Sequence, residues 1–300
     1  MTMQLGVSLP HTGTLASPAF VRDFAVAADE LGFGALWGVD HMVMPHHTDS
    51  LYTLGRKPAS IADDAVSGLL SPNYEMHTSL TFVAGVTSRI KLGTAVAVLP
   101  IRNAVMNARQ VATLDVLSGG RVIYGIGVGW LEEEAVAMNM PWDRRGARSD
   151  EHIALMRALW YAEGDLVEFH GEFNDLPPMD PEPRPVQRPL PILVGGHSDV
   201  ALRRAGRIGD GWIAAMMSPD RLAEHWEVVR REASAAGRDP EALHLVSGVS
   251  ARGERTEIDF YRAYAAVGVD HLNVHVLRDT PAATIAELER IGREVLPELS

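Results

Sequence analysis

Eight times along this 300-residue chain a short β-rich run gives way to a turn and then to an amphipathic stretch at helical spacing. The predicted strands are Gln4 to Leu9, Ala35 to Val39, Lys91 to Val98, Arg121 to Ile126, Pro191 to Val194, Gly211 to Ala215, His244 to Val249 and His271 to His275. The helical stretches carry their own punctuation. In "SPAFVRDFAVAADELG", Ser17 stands at the N-cap, Pro18 at the first helical position and Gly32 at the C-cap. The same grammar recurs in "HSDVALRRAGRIG" and "SPDRLAEHWEVVRREASAAG". Continuous apolar strands alternating with helices indicate a parallel sheet covered on both faces. Eight such units point to an α/β fold, a TIM (β/α)8 barrel occupying residues 1–300 as one domain, in preference to an open doubly wound sheet.

Two segments break this rhythm. Residues 44–74, "MPHHTDSLYTLGRKPASIADDAVSGLLSPNY", form a polar insertion after the second strand, far longer than an ordinary βα loop. Long loops at that end of a barrel cover its active site. Residues 165–190, before the fifth strand, read as a hairpin, "LVEFHGEFNDL", and a proline-rich connector, "PPMDPEPRPVQRP". Neither segment has the apolar content of a further domain.

Composition narrows the partners. A net charge of -12 opposes a nucleic-acid backbone and a polybasic membrane patch, and no apolar run is long enough to span a bilayer. With no cysteine, disulfides, thiolate catalysis and Cys-based zinc or iron sites are excluded. The opening "MTMQLGVSLP" lacks the basic and apolar regions of an export signal and reads as a strand. A cytoplasmic protein with a small-molecule partner is expected.

In a barrel the chemistry sits at the C-terminal ends of the strands. There the chain has Asp40 and His41, Val96 to Pro100, Gly127 to Trp130, Gly195 to His197, Met216 to Ser218, and His275. Histidine titrates near neutrality and a neighbouring carboxylate fixes its tautomer, so the Asp40–His41 pair suits proton transfer or a hydrogen bond to a cofactor; the plainer reading is a loop cap and a backbone contact. In "PILVGGHS", Gly195 and Gly196 let backbone amides approach an anion at a helix N-terminus, although any tight βα turn also uses glycine. The run "IYGIGVGW", residues 123–130, lacks the spacing of a dinucleotide fingerprint; its alternate glycines share one strand face and either relieve packing or admit a flat ring. The acids Glu132 to Glu134 read as a solvated first helical turn. Twelve histidines, including His46–His47 and the pair His271 and His275, show no metal-binding spacing, so no metal centre is expected.

Taken together, "ADELGFGALWGVDHMVMP", "TSRIKLGTAVAVLPIRNAVMNARQVATLDVLSGGRVIYGIGVGW" and "PLPILVGGHSDVALRRAGRIGDGWI" resemble the bacterial luciferase-like flavin or deazaflavin oxidoreductases over roughly residues 3–276, with the F420-dependent branch the nearer. The resemblance implies a barrel whose cofactor ring lies across the mouth, with coenzyme F420 expected and FMN the alternative. It implies His41 as the ring-side histidine, preceded by Asp40; a non-prolyl cis peptide at Ala95–Val96 behind the ring; cofactor contacts from Gly127, Val128 and Gly129; and a phosphate-side loop of Gly195, Gly196 and His197. It further implies a homodimer, and allows for a separate flavin or F420 reductase.

Two departures bear on the substrate. Trp130 stands where the F420-dependent glucose-6-phosphate dehydrogenases place an acid, and "AAMMSPD" stands where they place a phosphate-binding lysine. A sugar phosphate is therefore disfavoured, and Trp130, Met216 and Met217 suggest an apolar or aromatic substrate. The expected activity is hydride transfer between F420 and such a substrate, with insertion 44–74 as the lid. The competing readings are an FMN-dependent two-component monooxygenase using O2, and a ligand-binding barrel without catalysis.

Overall fold

A computed structural model describes residues 3–45, 48–50, 72–250 and 257–299. Its strands are β1 Gln4–Ser8, β2 Ala35–Gly38, β3 Lys91–Thr94, β4 Ala97–Val98, β5 Val122–Gly127, β6 Val167–His170, β7 Asp175–Met179, β8 Ile192–Gly195, β9 Gly211–Ala215, β10 His244–Ser250 and β11 His271–His275. In the main sheet the order is β3-β2-β1-β11-β10-β9-β8-β5-β4, and β5 also pairs with β3. Every pairing in that sheet is parallel, so it closes on itself as an eight-stranded α/β barrel with β3 and β4 sharing one strand position.

That shared position differs from the single strand expected over Lys91 to Val98. The peptide between Ala95 and Val96 is cis, as the resemblance implied. Leu92 pairs with Val122 and Ala97 with Ile126, so five steps along one strand face four along β5. One residue has no counterpart across the ladder, and the strand bulges there.

The helices between strands are capped as their sequences dictate. Helix α1, Pro18–Leu31, begins with Phe20 N–H donating to Ser17 Oγ and ends at Gly32 in the left-handed region, φ 87°. The helices that follow, α2 Met76–Ala84, α3 Ala104–Ser118, α4 Glu132–Ala137, α5 Arg145–Tyr161, α6 Asp199–Ile208 and α7 Pro219–Ala235, precede α8 Glu257–Val267, α9 Pro281–Arg290 and α10 Leu296–Leu299. Their apolar faces bury Phe24, Leu80, Trp160 and Trp226 against the outside of the barrel. A second, smaller core fills the barrel interior: Ala35, Trp37, Ile123, Leu193, Ile213 and Val246. The Trp37 indole spans it, lying where side chains at Gly6 and Gly93 would otherwise be; a Cβ on Gly93 would stand 2.2 Å from the ring.

The expected hairpin before the fifth barrel strand is present as β6 and β7, an antiparallel pair. Its turn is fastened to α5 because Glu151 accepts the N–H groups of Glu172, Phe173 and Asn174 at 2.6, 2.9 and 2.7 Å. Of insertion 44–74 only the ends are described, and His46 and His47 lie outside the described residues. The returning end is tied down beside the mouth, where Tyr74 N–H donates to His11 O and Asn73 Nδ2 donates to His41 O.

Candidate active site

The mouth is built from strand ends with small or no side chains. Gly127 on β5 and Gly195 on β8 flank one another, and Val96 from the bulge lies over both: a Cβ at Gly127 would meet Val96 Cγ2 at 2.7 Å, and one at Gly195 would meet Val96 Cγ1 at 2.9 Å. The two glycines therefore bring the bulge close, and the space they leave is used by protein. Gly125 serves packing alone, since a Cβ there would stand 2.1 Å from Thr94 O. Beyond the strand, Gly129 turns in the left-handed region at φ 77°, with Val128 and Trp130 half-buried on either side. Across the mouth, a Cβ on Gly248 would meet His275 Nε2 at 3.7 Å, an ordinary contact, and His275 Nδ1 lies 3.0 Å from Ser8 Oγ. Ser8 Oγ in turn donates to Asn273 Oδ1 at 3.2 Å, which leaves its lone pair for His275 Nδ1–H. Burial holds the His275 imidazole below its usual range, so it is neutral at neutral pH. Its place at a strand end was visible in the sequence; its partner Ser8 carried no signal.

His41 is at the rim, its side chain 11% exposed, with Nδ1 3.0 Å from Glu134 Oε2. Its ring meets Trp130 edge to face, with centroids 5.8 Å apart and planes at 82°. The carboxylate beside His41 is thus Glu134, and the reading of Glu132 to Glu134 as a solvated turn is corrected. Glu134 is 2% exposed, and its Oε1 accepts the backbone N–H groups of Met42 and Val43. Glu133 holds the start of the insertion, accepting from Asp49 N and Ser50 Oγ at 3.0 and 2.8 Å. Only Glu132 projects into solvent. Glu133 and Glu134 face inward because α4 is a single short helix folded back over residues 41–43 and 49–50, so its first turn has protein on two sides.

Asp40, the sequence partner of His41, is turned the other way. Its Oδ1 accepts from Arg102 Nη2 at 2.6 Å, and its Oδ2 accepts from Arg102 Nε at 3.0 Å and Val98 N at 2.8 Å. Both carboxylate oxygens are consumed within the scaffold, so Asp40 is corrected from a catalytic candidate to a buried strut. Arg102 continues the network to Glu75 Oε1 at 3.1 Å and His77 Nδ1 at 3.1 Å. Burial pulls the Arg102 guanidinium down, but the Asp40 carboxylate outweighs it and raises it. Burial, helped by the Arg102 charge, pushes His77 down to about 4. This strut joins the end of β2 to β4 and to the N-cap of α2, and so fixes where His41 leaves the sheet.

On the far side of the mouth Gly196 adopts φ 115°, which a side chain disfavours. Its carbonyl accepts from Trp212 Nε1 at 2.9 Å. His197 Nε2 accepts the Ala215 N–H at 3.1 Å, so the ring proton is on Nδ1. That Nδ1 is buried and has no partner among the described residues. Burial, with His225 and Arg221 nearby, holds His197 below its usual range, consistent with a neutral donor. Ser198 caps α6 by accepting from Ala201 N. The loop therefore combines an unused N–H, a glycine turn whose carbonyl is held by Trp212, and a helix N-terminus.

The two methionines separate. Met216 is in the left-handed region at φ 52° and 55% exposed at the rim. That residue reverses the strand alternation, so Met217 turns away from the mouth and is buried in the outer core, where its carbonyl accepts from Tyr264 Oη at 2.8 Å. Met217 is corrected from a pocket residue to a core residue. No group of three His, Asp or Glu side chains suited to a metal ion occurs among the described residues.

Residues 3–272 match the family model of luciferase-like monooxygenases. The chain belongs to the luciferase-like monooxygenase family. It is 36% identical over 229 residues to an uncharacterized protein of Mycobacterium tuberculosis, covering 76% of each chain. An F420-dependent secondary alcohol dehydrogenase in complex with an F420–acetone adduct shares the fold at TM-score 0.77, with 16% identity and all of both chains covered. The FMN-bound oxygenating constituent of 3,6-diketocamphane monooxygenase of Pseudomonas putida shares it at TM-score 0.72, with 17% identity and 99% of each chain covered. Membership makes this protein a luciferase-like oxidoreductase. Among the described residues of this luciferase-like chain, no helix is long and apolar enough to cross a membrane.

Proposed function

We propose that this luciferase-like protein transfers a hydride between coenzyme F420 and a carbon of an apolar or aromatic small organic molecule. The observation that carries the reading is His41, an imidazole at the barrel mouth with one nitrogen engaged by a carboxylate and its ring held by Trp130. When bound, F420 supplies the hydride chemistry. The chain's own residues supply position: Val96, raised on the bulge over Gly127 and Gly195, offers an apolar floor for a flat ring. The partnerless Nδ1–H of His197, beside Gly196 and the α6 N-terminus, fits an anionic group on the cofactor's side arm. His41 Nε2, the ring's other polar atom, donates or receives the proton that accompanies hydride transfer. Trp130 and Met216 border the space for the reacting molecule, and neither brings a cation for a phosphate. A homodimer, a cytoplasmic location and a separate reductase belong to the same reading.

The test is a fluorescence titration with F420 and with FMN, followed by turnover assays on secondary alcohols, ketones and aromatic substrates read by the deazaflavin chromophore. F420 is expected to bind, and His197→Leu to weaken it about tenfold, the worth of one hydrogen bond to a charged group. Tight FMN binding with no affinity for F420 would overturn the choice of cofactor in favour of the FMN-dependent monooxygenase. Turnover unchanged in His41→Ala would remove His41 from the chemistry.

A further inference from the structure

We propose that Glu134 is the positioning residue of this mouth: it holds His41 in the Nδ1–H tautomer, so that Nε2 is the atom that takes up and gives back the proton. The proposal rests on the reading of His41 as the proton-handling group. Glu134 Oε2 lies 3.0 Å from His41 Nδ1, and Oε1 accepts the N–H groups of Met42 and Val43. A carboxylate that already accepts two backbone N–H groups at Oε1 is arranged as an acceptor, and an acceptor at Oε2 calls for the proton on His41 Nδ1. In neutral His41 the lone pair is then on Nε2. Uptake of a second proton places it at Nε2, and its release returns the neutral Nδ1–H ring.

Geometry makes the arrangement directional. The two backbone N–H groups fix the Glu134 carboxylate, so His41 adapts to it and not the reverse. Trp130, edge to face against the imidazole, opposes rotation of the ring. Asp40 offers no substitute, because Arg102 and the Val98 N–H hold both of its oxygens. A carboxylate that orients an imidazole and balances its charge without taking its proton is a general device of acid–base sites.

The test has two arms. Nitrogen NMR of the cofactor-free protein, with His41 assigned by comparison with His41→Gln, reports which ring nitrogen carries the proton at a pH where the ring is neutral. Nδ1–H is expected in the wild type, and loss of that preference in Glu134→Leu; if Glu134→Leu does not fold, Glu134→Asp, which retracts the carboxylate, is expected to show a partial loss. A wild-type ring protonated on Nε2 overturns the proposal. The second arm is a double-mutant cycle on F420 affinity by fluorescence. Glu134→Gln is expected to weaken binding about 10-fold alone, the worth of one hydrogen bond to a charged group, and to have no further effect in a His41→Ala background. An equal loss in both backgrounds means that Glu134 acts on the loop and not through His41, and overturns it. If F420 does not bind at all, the cofactor reading fails, while the NMR arm still decides the role of Glu134.

Discussion

Replacing Arg102 by methionine removes the centre of the strut behind the mouth while keeping much of its volume. The Arg102 and Asp40 side chains are 5% and 1% exposed, so neither has water to turn to when the other is lost. Breaking a buried ion pair by deleting one partner costs about 3–5 kcal/mol, chiefly because the remaining charge is stranded. Asp40 would retain only the Val98 N–H, and Glu75 and His77 would each lose a donor. Removing both charges is a different perturbation. In Asp40→Leu/Arg102→Met the desolvation penalty disappears with the charges, and the principal remaining deficit is the Val98 N–H, worth about 1–3 kcal/mol when buried without an acceptor. The double variant should therefore be more stable than Arg102→Met alone, though less stable than the wild type. Urea unfolding followed by tryptophan fluorescence measures all three together with Asp40→Leu alone. The reasoning fails if Arg102→Met costs less than about 1 kcal/mol, or if the two single losses add in the double variant.

Two further outcomes follow from the packing and the buried histidines. Gly127→Ala places a methyl 2.7 Å from Val96 Cγ2 and should cost about 1–3 kcal/mol by overpacking, with most of the loss recovered by adding Val96→Ala; melting temperatures of the two variants check this. Burial holds His77 and His152 down to about 4, whereas in the unfolded chain both protonate near the ordinary histidine value of 6.5. Between those values the unfolded state binds more protons than the folded one, so stability falls as pH drops through that window, by up to roughly 3 kcal/mol for each ring. Urea midpoints from neutrality down to pH 4.5 report it, and a flat profile contradicts it.

The barrel was legible because its signal is periodic and repeated: each strand needs apolar residues on both faces and each helix needs a stripe, and eight repetitions leave little else to build. The errors fall where the chain departs from a regular element. Alternation along β9 assumes extended backbone, and a single left-handed residue, Met216, sends Met217 into the core. Adjacency in sequence suggested that Asp40 serves His41, but neighbours at a strand end point apart, and Asp40 follows the inside of the loop to Arg102. Glu134 was missed because acids in a first helical turn are ordinarily solvated; only the return of residues 41–43 over α4, a contact between segments some ninety positions apart, makes it buried. The bulge at Ala95–Val96 left no mark in local hydropathy, and the family resemblance alone pointed to it.

Val96, Gly127 and Gly195 come from three different strand positions yet share one volume. No one of them can gain an atom unless another gives way, so the floor of the mouth is a single inherited choice and not three independent ones. Met216, exposed at the rim, lies outside that shared volume. Selection or a designer can exchange it alone, and a family of barrels that keeps its floor while varying such rim positions can meet many substrates without rebuilding the surface on which the reaction takes place.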